Sequence, residues 1–349
     1  MEMERMRALF SVEEELDHGG QAIVYKVVRK RDGQPFACKS IRVTEYKEDE
    51  LEDLDPDDIP NGGLQEEAEM EIRALSKGKG ESGVVQLVDV FRDDDYYHII
   101  MELCECSLKD MLQDRARLSE HEAAMVIKSV ARTVSRMHDL GVVHRDIKVG
   151  NILLGFGEIL FDNIKLADFG TSWVSKGTDM RMRGQVGTDR YVAPEVVASI
   201  HEYDERVDVW GVGIVLYEIL SGKLAFEGLR SRDVPRRLSH WEDLPVSSMD
   251  WTDVSDGARD LILQLLHLDA RRRLPIHEVE NHPWVVKHSG SQVPDNRSLE
   301  EEQHSKRMVF EQPHHGLKRR RGGEEEEEED FIAKKLQHLG VNRAGQAVH

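Results

Sequence analysis

The hydrophobic pattern changes its period at the short stretch MELCEC, Met101 to Cys106, and that change calls for a chain built in two parts. Ahead of it, VYKVV and FACKSI are rich in β-branched and aromatic residues and are joined through Arg31-Asp32-Gly33, an Asp-Gly hairpin signal. GVVQLVDVF and YYHIIMEL read as two further strands. Between these pairs, Ala68, Ile72 and Leu75 recur at helical spacing over Leu64 to Lys77, with Gly78 as a stop signal. Glu71 adjoins that apolar face and therefore points inward. After Cys106 the spacing is helical. Ser119 and Glu122 form a capping box ahead of Ala123, Ile127, Val130, Val134 and Met137, and Gly141 ends that element. Val207 to Leu220 is apolar on all sides, which predicts a buried central helix, and another covers about Ala258 to His267. The expected fold class is α+β, a small β-rich part with one main helix followed by a larger helical part.

Charge marks the segments that cannot join either core. Thr44 to Gly63 sets a run of Glu and Asp against the single Lys47 and reads as an exposed acidic insert. Residues 289–349 are polar and include a solid block from Glu324 to Asp330, so a disordered charged tail is expected. A net charge of −20 argues against general affinity for nucleic acid or an anionic membrane. Val207 to Leu220 is shorter than the roughly 20 residues that span a bilayer. MEMERMR has no apolar run of the secretory kind, and Cys38, Cys104 and Cys106 offer no disulfide framework, so a soluble intracellular protein in a reducing compartment is expected. The Cys-x-Cys pair has no second pair to complete a metal site and reads as packing.

The chemistry lies in three motifs taken in order: HRDIKVGNILL from His144 to Leu154, DFG from Asp168 to Gly170, and APE from Ala193 to Glu195. With Lys39 of FACK and Glu71 upstream, the chain resembles the eukaryotic serine/threonine protein kinases over about residues 9–286. The resemblance implies a two-lobed kinase domain over 9–288, with an N-lobe at 9–103 holding the insert 44–63, a C-lobe at 107–288, and an N-terminal extension of residues 1–8. It implies ATP and Mg²⁺ as cofactors and proteins bearing Ser or Thr as substrates. Transfer of a γ-phosphoryl group needs its charge neutralised and the acceptor hydroxyl held in line. On this resemblance Asp146 accepts the hydroxyl proton, Lys148 contacts the γ-phosphate, Lys39 pairs with the α- and β-phosphates, and Glu71 anchors Lys39. Asn151 and Asp168 would hold metal.

The glycine-rich loop departs from the family pattern. Aligned on Val24, Asp17 and Ala22 replace the outer glycines, while Gly19 keeps the middle one and Gly20 follows it. Leu16, Ala22, Val24, Ala37 and Leu153 would enclose the nucleotide, Met101 would be the gatekeeper, and Glu102 and Cys104 would offer hinge backbone. Leu75, Leu87, His144 and Phe169 would form a stack linking the lobes, Asp208 would tie down the catalytic loop, Arg273 would pair with Glu195, and Thr188 would brace Asp146 and Lys148.

Within the class the chain is most similar to the calcium/calmodulin-dependent group, although no D-x-D-x-[DN]-G calcium loop occurs. The altered loop motivates an alternative, a nucleotide-binding pseudokinase acting as scaffold or allosteric partner. Gly184 stands where many relatives carry a phosphothreonine, so activation is expected without a phosphate there; Ser175 and Thr178 are the remaining candidates for one, and Arg181, Arg183 and Arg190 read as an unmatched basic cluster. Glu105, Glu218 and the acidic insert would draw basic peptides, while Gly150 lacks the glutamate that many basophilic relatives carry. Lys306-Arg307 and Lys318 to Arg321 fit a two-part nuclear import signal, which makes an import receptor a candidate partner and the nucleus or cytoplasm the expected location.

Overall fold

The computed structural model describes residues 2–19, 22–43, 64–157, 161–175, 180–184, 186–188, 190–198, 202–225 and 254–290. Gly20, the acidic insert, Thr178 and the basic clusters of the tail lie outside the described residues. The chain divides into two units, Met1–Ser289 and Gly290–His349, and the architecture below is that of the first.

Strands β1 (Phe10–His18), β2 (Ala22–Arg29), β3 (Gln34–Arg42), β4 (Leu87–Arg92) and β5 (Tyr96–Glu102) form an antiparallel sheet in the order β1-β2-β3-β5-β4. The hairpin between β2 and β3 turns at Asp32-Gly33, where Gly33 N donates to Arg29 O at 2.9 Å. Helix α2 (Leu64–Lys77) lies on the sheet and buries Ala68, Glu71, Ala74 and Leu75. Residues 1–8, expected only as an extension, contain most of a helix, α1 (Glu2–Leu9). Met6 of α1 is buried, and Arg5 reaches Asp89 at 2.9 Å and the Phe91 ring at 5.1 Å.

GVVQLVDVF is a strand only from Leu87 onward. Its first half is drawn to the larger part of the molecule: Val85 N donates to Leu166 O at 3.0 Å and Leu166 N to Gly83 O at 2.7 Å. Those bonds satisfy backbone groups that would otherwise have extended β4.

The second part begins with β6 (Cys106–Ser107) and an element the pattern did not announce, α3 (Leu108–Arg115), capped reciprocally by Ser107 and Asp110. Helix α4 (Glu120–Asp139) has both halves of the Ser119–Glu122 capping box, and its apolar stripe is buried from Ala123 to Met137. Each fully buried Ile, Val or Met on that stripe contributes about 1.5–3 kcal/mol of apolar burial. Helix α5 (Pro194–Ala198) precedes α6 (Arg206–Ser221), which is buried over nearly its whole length, as expected for a central helix. Around α4 and α6 pack α7 (Asp256–Leu265) and α8 (Pro283–Ser289). Short strands β7 (Val142–Val143), β8 (Ile152–Leu154), β9 (Ile164–Leu166) and β10 (Trp173–Val174) pair as β7 with β10 and as β6-β8-β9. The loop between β7 and β8 and the segment after β9 carry the motifs. Among the described residues no helix is long and apolar enough to cross a membrane.

Candidate active site

Lys39 sits in the middle of β3, where alternation aims its side chain at α2. Its ammonium donates to both oxygens of Glu71, at 2.9 and 2.7 Å, and to Asp168 Oδ1 at 2.6 Å. Of the acids along α2, Glu71 is the buried one; Glu66 is exposed and Glu69 pairs with Arg73. Glu71, the acid beside the apolar face of the helix, is thus the one the structure buries against Lys39. Burial pulls the Lys39 pKa down, but the charges of Asp168 and Glu71 override it and leave it above the ordinary lysine value. The Lys39 charge in turn holds Asp168 well below the usual carboxylate range. Burial pushes Glu71 up against the pull of Lys39.

Asp146 is 5% exposed and faces only donors: Lys148 Nζ at 2.7 Å and Asn151 Nδ2 at 3.1 Å on one oxygen, Thr188 N at 2.8 Å on the other. Lys148 Nζ also reaches Thr188 Oγ1 at 2.8 Å. Asn151 Nδ2 donates to Asp146 O at 2.9 Å as well, which leaves the amide oxygen of Asn151 as the acceptor end of that side chain.

The loop holding these groups is fixed from beneath by Asp208 of α6. Its carboxylate accepts His144 N at 2.8 Å, Arg145 N at 2.7 Å and His138 Nε2 at 2.8 Å. Burial pushes the Asp208 pKa up, yet hydrogen bonding and charge from His138 outweigh it and leave the carboxyl lowered. Pointing consecutive N–H groups at one carboxylate bends the chain, and Arg145 adopts a left-handed φ of 67°. Asp168 is also left-handed, at 62°. Such conformations cost of order 1–3 kcal/mol and persist where surrounding contacts over-determine them. His144 donates from Nε2 to Ala167 O at 3.0 Å and accepts Asp146 N on Nδ1 at 3.2 Å, which fixes its tautomer. Its ring lies 4.6 Å from that of Phe169, and Leu75, His144 and Phe169 are all buried, with Leu87 half-buried against the same core.

Ala37 and Met101 are buried, Ala22, Val24, Glu102, Cys104 and Leu153 are half-buried, and Leu16 is exposed. Gly19 N donates to Ala22 O at 2.9 Å, joining the chain after β1 to the start of β2. Asp17 accepts its neighbour's His18 N at 2.9 Å and stays exposed.

Burial, then the charge of Glu102, pushes the Cys104 thiol up to about 12, and burial pushes Cys38 to about 12. A shift of that size lowers the thiolate fraction at neutral pH about a thousandfold. Iodoacetamide at pH 7.5 is expected to leave Cys38 and Cys104 unmodified over the time in which an unfolded sample is fully alkylated, as peptide mass mapping would read.

Two expectations need correction. Ser175 is 7% exposed, with its backbone N–H on Gly141 O at 2.8 Å, so it is not accessible to a modifying enzyme. Arg181 and Arg183 are not unmatched: both pair with Glu202, at 3.3 and 2.9 Å. Glu202, Tyr203 and His138 were missed because isolated residues in unremarkable surroundings carry no local signal. Among the described residues no cluster of three or more His, Cys, Asp or Glu could hold a metal by itself.

Compared with known proteins, residues 10–285 match the family described as protein kinase domain. The chain is similar to Calcium-dependent protein kinase 14 of Oryza sativa subsp. japonica, 30% identical over 284 residues that cover 81% of this chain and 51% of that protein. Serine/threonine-protein kinase PEPKR2 of Arabidopsis thaliana is 34% identical over 259 residues, 74% of this chain and 49% of its own length. Calcium-dependent protein kinase SK5 of Glycine max is 33% identical over 287 residues, 81% of this chain and 52% of its own. The chain thus spans about half the length of the curated relatives it matches. With a β-sheet lobe, a helical lobe and the Lys39, Asp146 and Asp168 groups gathered between them, this chain belongs to the protein kinase domain family.

Proposed function

We propose that the protein transfers the γ-phosphoryl group of Mg-ATP to serine and threonine hydroxyls of other proteins. One observation carries this reading: a carboxylate surrounded by donors, Asp146, lies on the same loop as Asn151 and Lys148, while Lys39 and Asp168 meet at 2.6 Å across the cleft. The names of the relatives, serine/threonine-protein kinase and calcium-dependent protein kinase, support the same class. The pseudokinase alternative rests on Asp17 and Ala22 alone, since every charged group the transfer needs is present.

The donor set suits magnesium, which takes a few hard oxygen ligands from protein and the rest from phosphate and water. Asp168 is held ionised, and the Asn151 amide oxygen faces away from the hydrogen bonds made by its nitrogen. These residues would hold the ion, which when bound neutralises phosphate charge. Asp146 orients the acceptor hydroxyl and takes its proton. Lys148 and Lys39 supply fixed positive charge where negative charge gathers, in a cleft where such charge acts more strongly than in water. Glu71 holds Lys39 to one rotamer.

The described residues of the activation segment are held by internal contacts that include no phosphate. The Arg145 guanidinium is occupied by Thr171 O at 2.7 Å, Ser172 O at 3.3 Å and the Tyr203 hydroxyl at 3.4 Å, and Tyr203 in turn donates to Gly184 O at 2.8 Å. Gly187, with φ of 103°, lies so close to the loop that a Cβ would fall 2.7 Å from Arg145 O. Thr188 is thereby delivered to Asp146. Glu105 is exposed, whereas Glu218 takes the Tyr191 hydroxyl, so the charge left to attract basic peptides rests on Glu105 and the insert. A nuclear or cytoplasmic location and an import receptor remain part of the proposal through the tail's basic clusters.

The test is transfer of γ-labelled phosphate to a generic protein substrate, using the full chain before and after phosphatase treatment. Label is expected on Ser and Thr, at rates within about twofold of each other, because the contacts that order the segment are internal. Lys39→Met should abolish it. An unlabelled substrate at high ATP would leave the scaffold reading; activity lost on phosphatase treatment would overturn the phosphate-free ordering.

A further inference from the structure

Lys165 is a buried cation that takes no part in the chemistry above. Lys165 lies in the middle of β9 at 7% exposure, and its ammonium sits 3.0 Å from Glu102 Oε1 at the end of β5. The same oxygen accepts Gln86 N at 2.7 Å, and Glu102 N donates to Gln86 O at 3.0 Å. Gln86 also fastens its own loop, donating from its amide to Glu81 O and Val84 O at 2.9 and 2.7 Å and accepting Gly80 N at 2.8 Å. That loop is pressed onto the C-lobe: besides its backbone bonds to Leu166, a Cβ at Gly83 would fall 1.8 Å from Thr133 Oγ1 of α4. One carboxylate therefore joins the end of β5, the loop ahead of β4, and β9.

The two bodies joined in this way are the two that carry the nucleotide-facing charges. Lys39 lies opposite Ile99, and Phe36 opposite Glu102, on the paired strands β3 and β5. Asp168 follows β9 directly after Ala167. Lys39–Asp168 and Glu102–Lys165 are thus two separate ties between the same strand pair and the same C-lobe strand. One tie leaves a pivot; two fix an angle. We propose that Lys165 is a positioning residue for phosphotransfer: through Glu102 it fixes the angle between the lobes at which Lys39 reaches Asp168. The proposal rests on the kinase reading above. Stability alone does not call for such a pair, since well-packed apolar residues replace buried ion pairs at little cost.

The experiment uses the full chain and the variants Lys165→Met, Lys165→Arg, Glu102→Gln and the Lys165→Met/Glu102→Gln double, with kcat and KM for ATP measured at saturating protein substrate. Lys165→Met is expected to lower kcat/KM for ATP about tenfold, as loss of alignment does. Lys165→Arg should return to within about threefold, and the double variant should be no worse than the weaker single one, since both break one interaction. A folded Lys165→Met enzyme within about twofold of the parent, or effects that add, would overturn the proposal. If Lys165→Met does not fold, Glu102→Gln carries the same expectation, because it keeps an acceptor for Gln86 N and removes only the charge. Hydrogen exchange of residues 80–86 and 101–106 gives a readout without catalysis and is expected to be faster in both single variants. A parent chain that transfers no phosphate would sink the kinase reading, while unchanged exchange would sink the inter-lobe tie.

Discussion

Asp146→Asn is expected to lower the rate of phosphate transfer about 10²–10⁴-fold, the range over which a positioned general base contributes. The substitution keeps the shape but not the pattern of partners. Lys148 Nζ and Asn151 Nδ2 both donate to Oδ2, and Thr188 N donates to Oδ1. Whichever way an asparagine amide is turned, its NH₂ meets a donor, so at least one hydrogen bond is lost, that of Thr188 in one orientation and those of Lys148 and Asn151 in the other, at about 1–3 kcal/mol. Nucleotide affinity should hold, since Lys39, Glu71 and Asp168 are untouched. Titration with a fluorescent ATP analogue beside steady-state rates separates the two effects. A variant that transfers phosphate at a rate near the parent would remove Asp146 from the proton-transfer role.

The largest effect on stability is expected at Arg273. Its side chain is fully buried and donates to both Glu195 oxygens, at 2.6 and 2.7 Å, to Arg206 O at 2.8 Å and to His267 O at 2.9 Å, with the guanidinium 5.1 Å from the Trp210 ring centre. Arg273→Ala leaves Glu195 without its cation and two carbonyls without donors. Breaking a buried pair in this way costs about 3–5 kcal/mol, which is a large share of the 5–15 kcal/mol that holds a typical domain together. The melting temperature should fall by about 10 °C. Arg273→Lys should recover little, because an ammonium cannot reproduce the planar fork. Calorimetry decides the point: a melting temperature within about 2 °C of the parent would show the pair to be dispensable.

How far the molecule could be read in advance depended on the range of the interaction. Chemistry that needs particular residue types at fixed spacing was legible, which is why Asp146, Lys148, Asn151 and Asp168 stood out and why the structure gathers them. The phase of α2 was enough to pick Glu71 from its acidic neighbours, because a helix face is a local property. Glu102 was legible only as a hinge backbone; its carboxylate works through Lys165 and Gln86, and nothing local pairs residues that far apart. Val84 and Val85 have strand composition but bond to Leu166, so a tertiary contact overrode β propensity. Ser175 stands in a polar-looking run and is nevertheless buried against Gly141, for the same reason.

The threefold grip of Asp208 on the loop of His144 and Arg145 decides the order in which the molecule comes apart when warmed. Asp208 stands on a helix buried over nearly its whole length, so its hold on His144 and Arg145 lasts as long as that helix stays packed. The groups of the loop are therefore fastened to the packed interior of the larger lobe, while the sheet is joined to that lobe through side-chain ties, Lys39–Asp168 and Glu102–Lys165, that can loosen before the interior does. Heat should first slacken those ties, reversibly, while the loop keeps its shape until the larger lobe melts as a whole.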